Sequence, residues 1–361
     1  LYAQFAGRSF YDIGGTSTLP RGGFYSSQIG NPKTTWEGDI ITNVGFDAVL
    51  LHNKLDITLE WYKKKVSGLL FPDNIDIIYG GGTAPKINIG DMQNTGIDFS
   101  AAYHGSVGKD FKYDVSGTIT SYKNKIVALA KDQQYVPGPQ VRNVEIQRNI
   151  LGNPVWAFYG YQVIGIFQTA DEVTKAPSQT DAAPGLLRFK DVNGDGVITA
   201  DDRTMIGNPT PKFTYGASVN VNYKNISLAV DMGGVYGNQI FRTWGSLESP
   251  FQRVNYAGDK INRWHGEGTS NWVPIISQGN RINYNGSTYN IEDGSYFRLR
   301  NVQLAYTFSQ GLISRAKIKN LKVFVNAQNL KTWKNNYGYT AEYGGDATAF
   351  GYDNAGGAIP L

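Results

Sequence analysis

The chain has 361 residues, carries 34 Lys and Arg against 30 Asp and Glu for a formal net charge of +4, and contains no Cys. Without Cys, disulfide frameworks, thiolate metal sites and Cys nucleophiles are excluded, and the scattered charges form no basic stripe for nucleic acid. No stretch approaches the roughly 18 consecutive apolar residues of a membrane-spanning helix, which excludes a helical membrane protein.

Apolar and polar side chains alternate along most of the chain in long segments. The sequence reads LDITLEWY at 55–62 and FTYGASVNVN at 213–222. Successive strand side chains point to opposite faces, so each segment has one apolar and one polar face. The segments match the roughly 9–11 residues that a tilted strand needs to cross a bilayer, whereas strands of soluble sheets average about five or six. An aromatic content of 13%, with 23 Tyr, suits the aromatic girdles of an outer-membrane barrel.

Segments with this pattern are predicted as strands, and the connections between them alternate between short and long. Long loops at 124–138 and 169–210 require two strands between them if short turns lie on one side of the membrane and long loops on the other. This requirement is the reason for placing a strand at 139–148. The predicted strands are 1–10, 37–51, 54–67, 92–105, 110–124, 139–148, 156–168, 211–223, 225–238, 293–308 and 318–332.

The resulting fold class is all-β, a transmembrane antiparallel β-barrel to which this chain supplies about eleven strands. An open sheet edge leaves unpaired N–H and C=O groups in lipid, so a sheet with two edges is not a whole barrel. We therefore expect residues 1–361 to form the C-terminal part of a larger barrel, with its true N-terminus and its final strand missing. A soluble β-sandwich is the alternative, and the strand lengths count against it.

Two local features refine the strand prediction. Phe297 and Leu299 share one face, but the apolar set then moves to Val302 and Leu304, which indicates a β-bulge near 300–301. Aromatic residues near predicted strand ends are expected at the interface between lipid and water. These residues are Trp61, Tyr103, Tyr122, Tyr223 and Trp333.

Residues 191–202, DVNGDGVITADD, match a calcium-binding loop of the EF-hand or dockerin type inside the extracellular loop predicted at 169–210. Gly196 permits the sharp turn, Ile198 is expected to pack inward, and Asp202 replaces the longer Glu usual at the last ligand position. The expected ligands are the side-chain oxygens of Asp191, Asn193, Asp195, Thr199 and Asp202 and the carbonyl of Val197. We predict a structural Ca²⁺ that braces the loop, and the alternative is an Asp/Asn/Gly turn without metal.

An ordered set of motifs resembles the SusC/RagA-type TonB-dependent transporters over essentially the whole chain. The motifs are WE at 36–37, YGY at 159–161, GIFQ at 165–168, RFKDVNGDG at 188–196, IGNPTPKFTYG at 206–216, YFRLRNV at 296–302 and NAQNL at 326–330. The sequence departs from the family at 338–342, GYTAE, where the family often has Gly-x-Asp-Pro-Glu. The family's plug and TonB-contacting segment are absent from these residues.

The resemblance implies a plugged barrel of about 22 strands in the outer membrane of a Gram-negative bacterium. It also implies a SusD-like lipoprotein as an extracellular lid, and energy delivered by TonB through the N-terminal region that this chain lacks. Transporters of this family import oligosaccharides or peptides, and the resemblance slightly favours glycans.

We predict that the parent protein imports a bulky nutrient of this kind and that aromatic side chains of its loops contact the substrate or the lid. Flat aromatic faces stack on sugar rings, and large aromatics also dominate protein interfaces. Plain packing within the loops is the alternative for each of them. The candidates are Phe241, Trp244, Tyr256, Trp264, Trp272, Tyr337, Tyr339 and Tyr343.

Two other function classes share parts of this pattern. A passive porin has similar strands but neither a plug nor a TonB contact. An enzyme would need reactive groups, and the inward-phased carboxylates Asp98, Asp114 and Asp231 are expected to be solvated wall residues. No Ser/His/Asp set, phosphate-binding loop before a helix or zinc spacing appears in the sequence, so we predict no enzymatic activity.

Overall fold

The structure is a computed structural model that describes most of the chain. The described residues are 4–11, 21–28, 30–72, 85–130, 133–138, 140–141, 144–243, 258–276, 286–314, 317–338, 340–342 and 351–353. Within these ranges, no helix has both the length and the apolar character needed to span a membrane.

Strands dominate the described residues. In chain order they are β1 (Gln4–Tyr11), β2 (Arg21–Gln28), β3 (Gly38–Leu50), β4 (Leu55–Ser67), β5 (Leu70–Pro72), β6 (Lys86–Asn88), β7 (Gly90–Val107), β8 (Phe111–Leu129), β9 (Tyr135–Pro137), β10 (Gln140–Val141), β11 (Val144–Glu145), β12 (Arg148–Ile150), β13 (Phe158–Gly160), β14 (Val163–Ile166), β15 (Leu187–Phe189), β16 (Thr204–Gly207), β17 (Phe213–Tyr223), β18 (Ile226–Tyr236), β19 (Gln239–Arg242), β20 (Ile291–Asp293), β21 (Tyr296–Thr307), β22 (Lys322–Lys334) and β23 (Tyr352–Asp353). Two short α-helices lie among the described residues, α1 (Ala170–Lys175) and α2 (Gln310–Ile313), together with 3₁₀ turns at Ala200–Asp202, Gly258–Asn262 and Thr288–Asn290.

Eight long strands form one antiparallel sheet in the order β22, β21, β18, β17, β8, β7, β4, β3. The connections at one end of the sheet are short, at 51–54, 108–110, 224–225 and 308–321. The connections at the other end are longer, at 68–89, 130–212 and 237–295. This is the alternation predicted for a barrel wall, and the all-β transmembrane barrel architecture is confirmed.

The sheet contradicts the prediction of two wall strands between β8 and β17. Strands β8 and β17 pair directly with each other, from Phe111 opposite Tyr223 to Thr120 opposite Thr214. The predicted wall strands at 139–148 and 156–168 are therefore wrong. Residues 130–212 instead form one long excursion that contains the strand pairs β9 with β12, β13 with β16 and β14 with β15.

The alternation in these two segments has a different physical origin. Ile146 and Phe158 are fully buried and pack against each other and Phe241 inside the loop region. Their apolar positions therefore belong to a small water-excluded core, whereas apolar side chains of a wall strand face outward. A period of two indicates a strand with two unlike faces, but it does not tell whether the apolar face meets lipid or protein.

The first predicted strand is present as β1, but its partner β2 lies in a stretch predicted as a loop. Strand β2 reads RGGFYSSQ, and its Gly and Ser residues carry no apolar side chain at the alternate positions. The pattern that identifies the other strands is therefore missing from it.

The two faces of the large sheet differ in chemistry as predicted. On one face, Glu60 lies opposite Asp98, and Asp98 lies opposite Thr120. On the other face, Phe99 lies opposite Ile119, and these side chains are 38% and 39% exposed. Large apolar side chains with this exposure are expected where a wall faces lipid, and the polar face then lines the lumen.

Aromatic rings border the apolar face at both ends. At the loop end, Phe297 stacks with Tyr215 at 6.4 Å and contacts Trp333 at 5.4 Å between ring centroids. At the short-turn end, Phe111 contacts Tyr223 at 6.5 Å. Tyr215 and Tyr223 lie on one strand and are separated by roughly 26 Å, close to the height of about 25 Å of a barrel's apolar band. The two rows contain Trp333 and Tyr223, two of the aromatic residues predicted for the girdles.

Tyr122 does not belong to these girdles, so that prediction is wrong. It lies opposite Gly96, which lies opposite Tyr62, and the Tyr62 ring and the Cβ of Tyr122 occupy the position where a side chain at Gly96 would stand. This face is the polar one that carries Asp98. The predicted strand ended at 124, but β8 continues to Leu129, so Tyr122 lies inside the strand, and its phase places it in the lumen.

The predicted bulge is confirmed at Arg300. Strand β18 places Asp231 opposite Asn301 and Met232 opposite Leu299, which leaves Arg300 without a partner. The register of β21 with β22 shifts at the same point, and Asn329 adopts a left-handed φ of 51° there. A one-residue change of phase in the sequence was therefore a correct sign of a β-bulge.

Candidate functional site

The calcium-type loop is closed by its own side chains. Asp191 accepts hydrogen bonds from the backbone N–H of Gly194 at 2.6 Å and of Gly196 at 2.9 Å. Asp195 accepts one from the N–H of Val197 at 2.8 Å. Gly194 and Gly196 have φ of 77° and 83°, a region that favours glycine and that the tight coil requires.

Asp202 closes the end of this loop. Its side chain is fully buried, and it accepts hydrogen bonds from the N–H of Val192 and of Thr199, both at 2.8 Å. Burial on its own raises the pKa of Asp202, but the backbone N–H groups of Thr199, Val192 and Asn193 outweigh it and hold that pKa below its usual value. The carboxylate is therefore anionic at neutral pH and serves as the internal anchor of the loop.

Inward packing of Ile198 was expected, and its side chain is half-buried against a cluster of buried residues. Its backbone N–H donates to the carbonyl of Ser178 at 2.8 Å. In the described part of the chain, no group of three or more His, Asp or Glu side chains is arranged as a metal site. The side-chain oxygens expected as ligands accept hydrogen bonds from backbone N–H groups in the structure, namely those of Asp191, Asn193, Asp195, Thr199 and Asp202.

Two long loops pack together through that cluster. Its buried members come from 130–212 and from 237–295, and Trp264 and Ile275 pack on it from the second loop. The buried members are Ile166, Leu186, Leu187, Phe189 and Tyr289. The described parts of the two loops therefore form one folded layer at one end of the barrel wall.

A buried ionic cluster centred on Arg242 strengthens this layer. Arg242 is 3% exposed, with side-chain nitrogens 3.3 Å from Asp259 and 3.1 Å from Glu292. Lys260 donates to the Tyr289 hydroxyl at 2.8 Å. Burial raises the pKa of Glu292 even though Arg242 opposes it, and burial together with Asp259 raises the pKa of Tyr289. The sequence showed no local signal for this cluster, because its members lie far apart in the chain.

The predicted contact aromatics have different surroundings. Trp272 is 48% exposed and Tyr337 is 65% exposed. Trp264 is half-buried and donates to Gln168 at 3.0 Å. Phe241 is fully buried, so its prediction as a substrate or lid contact is wrong, and it packs against Phe158 instead. Four further candidates lie outside the described residues, namely Trp244, Tyr256, Tyr339 and Tyr343.

The carboxylates of the inner wall lie on the polar face as predicted. Asp231 accepts from Ser218 at 2.7 Å and from Asn301 at 3.2 Å. Asp114 lies 2.6 Å from Nδ1 of His104, whose Nε2 lies 3.2 Å from Asp56. The sequence analysis did not single out His104, although its phase on β7 places it on the same face as Asp98. These contacts tie neighbouring strands together across the wall.

Comparison with known proteins identifies the sheet. The family model described as "TonB dependent receptor-like, beta-barrel" matches residues 1–330. TonB-dependent receptor P3 of Formosa agariphila is 30% identical over 317 residues, which cover 86% of this chain and 31% of that protein. TonB-dependent receptor SusC of Bacteroides thetaiotaomicron is 26% identical over 310 residues, which cover 83% of this chain and 29% of SusC.

A solved structure has the same architecture. The structure of the RagAB peptide transporter superposes with a TM-score of 0.76 at 21% identity and covers 98% of this chain and 36% of that one. The chain spans about a third of the length of the curated relatives it matches. Its family-model match and strand order agree, and the chain belongs to the TonB-dependent receptor-like β-barrel family, with sequence similarity to SusC.

Proposed function

We propose that the complete protein imports a bulky nutrient, an oligosaccharide or a peptide, across the outer membrane of a Gram-negative bacterium with energy delivered by TonB. The observation that carries the proposal is the antiparallel wall with an apolar outer face, a polar inner face and long folded loops at one end. Such a wall encloses a polar passage and presents a large surface to the outside. The plug and the TonB contact would belong to the part of the longer protein outside this chain.

We also propose a SusD-like lipoprotein as partner at the loop end. Trp272 and Tyr337 present exposed aromatic faces on that folded layer. Aromatic side chains of this kind supply large contact areas to sugar rings and to protein partners. These two residues are therefore the described candidates for contact with the substrate or the lid.

The test uses cells that carry the intact parent gene. Uptake of fluorescently labelled oligosaccharides and peptides is measured before and after depletion of TonB. We expect accumulation of one substrate class that stops on depletion, whereas uptake that continues unchanged would identify a passive porin and overturn the proposal. Extraction in mild detergent followed by mass spectrometry is expected to recover a stoichiometric lipoprotein.

We further propose that residues 191–202 bind Ca²⁺ as a structural ion. The donors would be Asp191, Asn193, Asp195, Val197, Thr199 and Asp202. They supply the hard oxygens that Ca²⁺ prefers, and the backbone bonds to Asp191 and Asp195 direct both carboxylates into the coil. A carboxylate has about four lone-pair sites, so Asp202 keeps acceptor capacity beyond its two strongest N–H bonds.

A further inference from the structure

Four lysines form a group on the apolar face of the wall near its loop end. We call Lys63, Lys65, Lys123 and Lys125 the basic patch. Thr95 separates one pair, with Lys63 opposite Thr95 and Thr95 opposite Lys123. Gln93 separates the other pair in the same way. The four Cα atoms thus mark a rectangle of about 10 Å across the strands by about 7 Å along them.

The basic patch lies directly beyond the apolar band. Lys63 and Lys65 continue the face of Leu59 and Trp61 on β4, and Trp61 lies opposite Ile97 in the next row toward the membrane centre. Trp61 and Ile97 are 39% and 49% exposed. The row that contains Trp61 and Ile97 is therefore followed directly by a row with lysine ammonium groups, as expected at the level of lipid head groups.

Most of the charge on the basic patch is uncompensated. Lys65 forms an ion pair with Asp91 at 2.9 Å. Over the residues that the structure describes, the exposed side chains of Lys63, Lys123 and Lys125 make no ion pair or hydrogen bond. The centre of the rectangle is uncharged, because it is occupied by Gln93 and Thr95, and Gln93 donates to Thr95 at 3.2 Å. Like charges on one face of a sheet repel one another, so an anion over this centre would stabilise the wall.

We propose that the basic patch binds the phosphate head group of an anionic lipid in the outer leaflet, with an acyl chain lying along Trp61 and Ile97. A soluble anion would meet only the lysines, whereas a lipid meets the lysines and the apolar row together. Clusters of lysine next to a membrane attract anionic lipids in this way. The occupant is a lipid because the patch stands on the membrane-facing wall and not on the lumen face, where Glu60 and Asp98 lie.

The experiment uses the intact parent protein in detergent, titrated with lipid A and separately with phosphatidylcholine, and the bound lipid is counted by native mass spectrometry. The test variant is K63Q/K123Q/K125Q. The control variant, K109Q/K112Q/K319Q, removes the same charge from exposed lysines at the short-turn end of the sheet. The charge-preserving variant K63R/K123R/K125R checks that loss of charge, and not loss of fold, is responsible. Inorganic phosphate is added as a competitor.

We expect the test variant to bind lipid A roughly 100-fold more weakly, with wild-type affinity in the control and in the arginine variant. Phosphatidylcholine, whose head group carries no net charge, should not distinguish the proteins. Equal affinity of all variants for lipid A would overturn the proposal. So would displacement of lipid A by equimolar inorganic phosphate, or loss of a co-purifying protein instead of lipid from the test variant, because the patch would then bind a free anion or a protein partner.

Discussion

Asp202 illustrates how one side chain organises a loop. It is fully buried, yet it is charged, because backbone N–H groups at both ends of the coil donate to its oxygens. The spacing of the calcium-type motif predicted an acidic residue at position 202 as a metal ligand. In the structure, the Asp202 carboxylate also accepts hydrogen bonds from the backbone of its own loop. The carboxylate replaces water as the acceptor for N–H groups that burial would otherwise leave without a partner.

Replacing Asp202 with Ala should open the loop 191–202. Buried N–H groups without an acceptor cost about 1–3 kcal/mol, so amide exchange in this loop should accelerate. The control is D201A, because Asp201 is exposed. Since the folded pKa of Asp202 is lowered, its stabilisation is present above the unfolded value of about 3.9 and is lost as the pH falls through the lower folded pKa. Unchanged exchange in D202A would contradict this role.

A second residue-scale prediction concerns Arg242. Replacing it with Met leaves Asp259 and Glu292 buried without their cation, and breaking a buried ion pair costs about 3–5 kcal/mol. The folded loop layer should therefore become sensitive to protease while the wall stays intact. R263M is the matched control, because Arg263 is exposed. Equal proteolysis of both variants would refute the prediction.

At the scale of elements, the sheet depends on close approach of neighbouring strands. An alanine Cβ at Gly234 would overlap the carbonyl oxygen of Tyr296 on β21, whereas the nearest atom to a Cβ at Gly117 is a carbonyl oxygen at 3.8 Å. Both glycines lie inside long strands of the same sheet. The sequence alone does not distinguish them, because the difference arises from the neighbouring strand.

The variant G234A should therefore destabilise the pairing of β18 with β21 by about 1–3 kcal/mol, the usual cost of overpacking. G117A should have little effect. The measurement is the temperature at which the folded barrel band disappears in a gel run without prior boiling. If both variants lose that band at the same temperature, the overlap at Gly234 does not limit the sheet.

The proposed calcium site lies within one element, the loop 191–202. Millimolar Ca²⁺ should slow amide exchange at 191–202 with a Kd of about 10⁻⁴–10⁻³ M, the range of extracellular sites. The variant D191N/D195N should lose this response, while D201N, outside the proposed ligand set, should keep it. A wild-type loop that exchanges equally fast with Ca²⁺ and with chelator would leave the Asp/Asn/Gly turn without metal as the correct interpretation.

For the whole molecule, local patterns predicted most wall strands, the bulge at Arg300 and the position of the calcium-type loop. The predictions that failed depended on contacts between residues that are distant in the sequence. Period-two alternation at 139–148 and 156–168 could not reveal that its apolar residues are buried against Phe241 from another loop. The ionic cluster of Arg242 and the burial of Phe241 were missed for the same reason, because both depend on partners distant in the sequence.

The strand assignment from the sequence and the strands of the structure place Leu151 on opposite sides of the membrane. Strands at 139–148 and 156–168 would place it at a short periplasmic turn, whereas the structure places it in the 130–212 excursion at the loop end, 56% exposed. The chain has no Cys, so L151C introduces a unique label into this region. We expect labelling of L151C by a membrane-impermeant maleimide on intact cells and none of K109C in a short turn. The reverse pattern would restore the strand assignment from the sequence.

The direct pairing of β8 with β17 has an evolutionary consequence. The two ends of the excursion 130–212 leave the wall from adjacent, hydrogen-bonded strands. An insert anchored in this way can lengthen or change at little entropic cost, because closure cost rises only slowly with loop length. The wall therefore tolerates replacement of the excursion, provided that the apolar contacts between 130–212 and 237–295 are kept. Replacement of the excursion with the equivalent segment of a relative should leave the register of every wall strand unchanged.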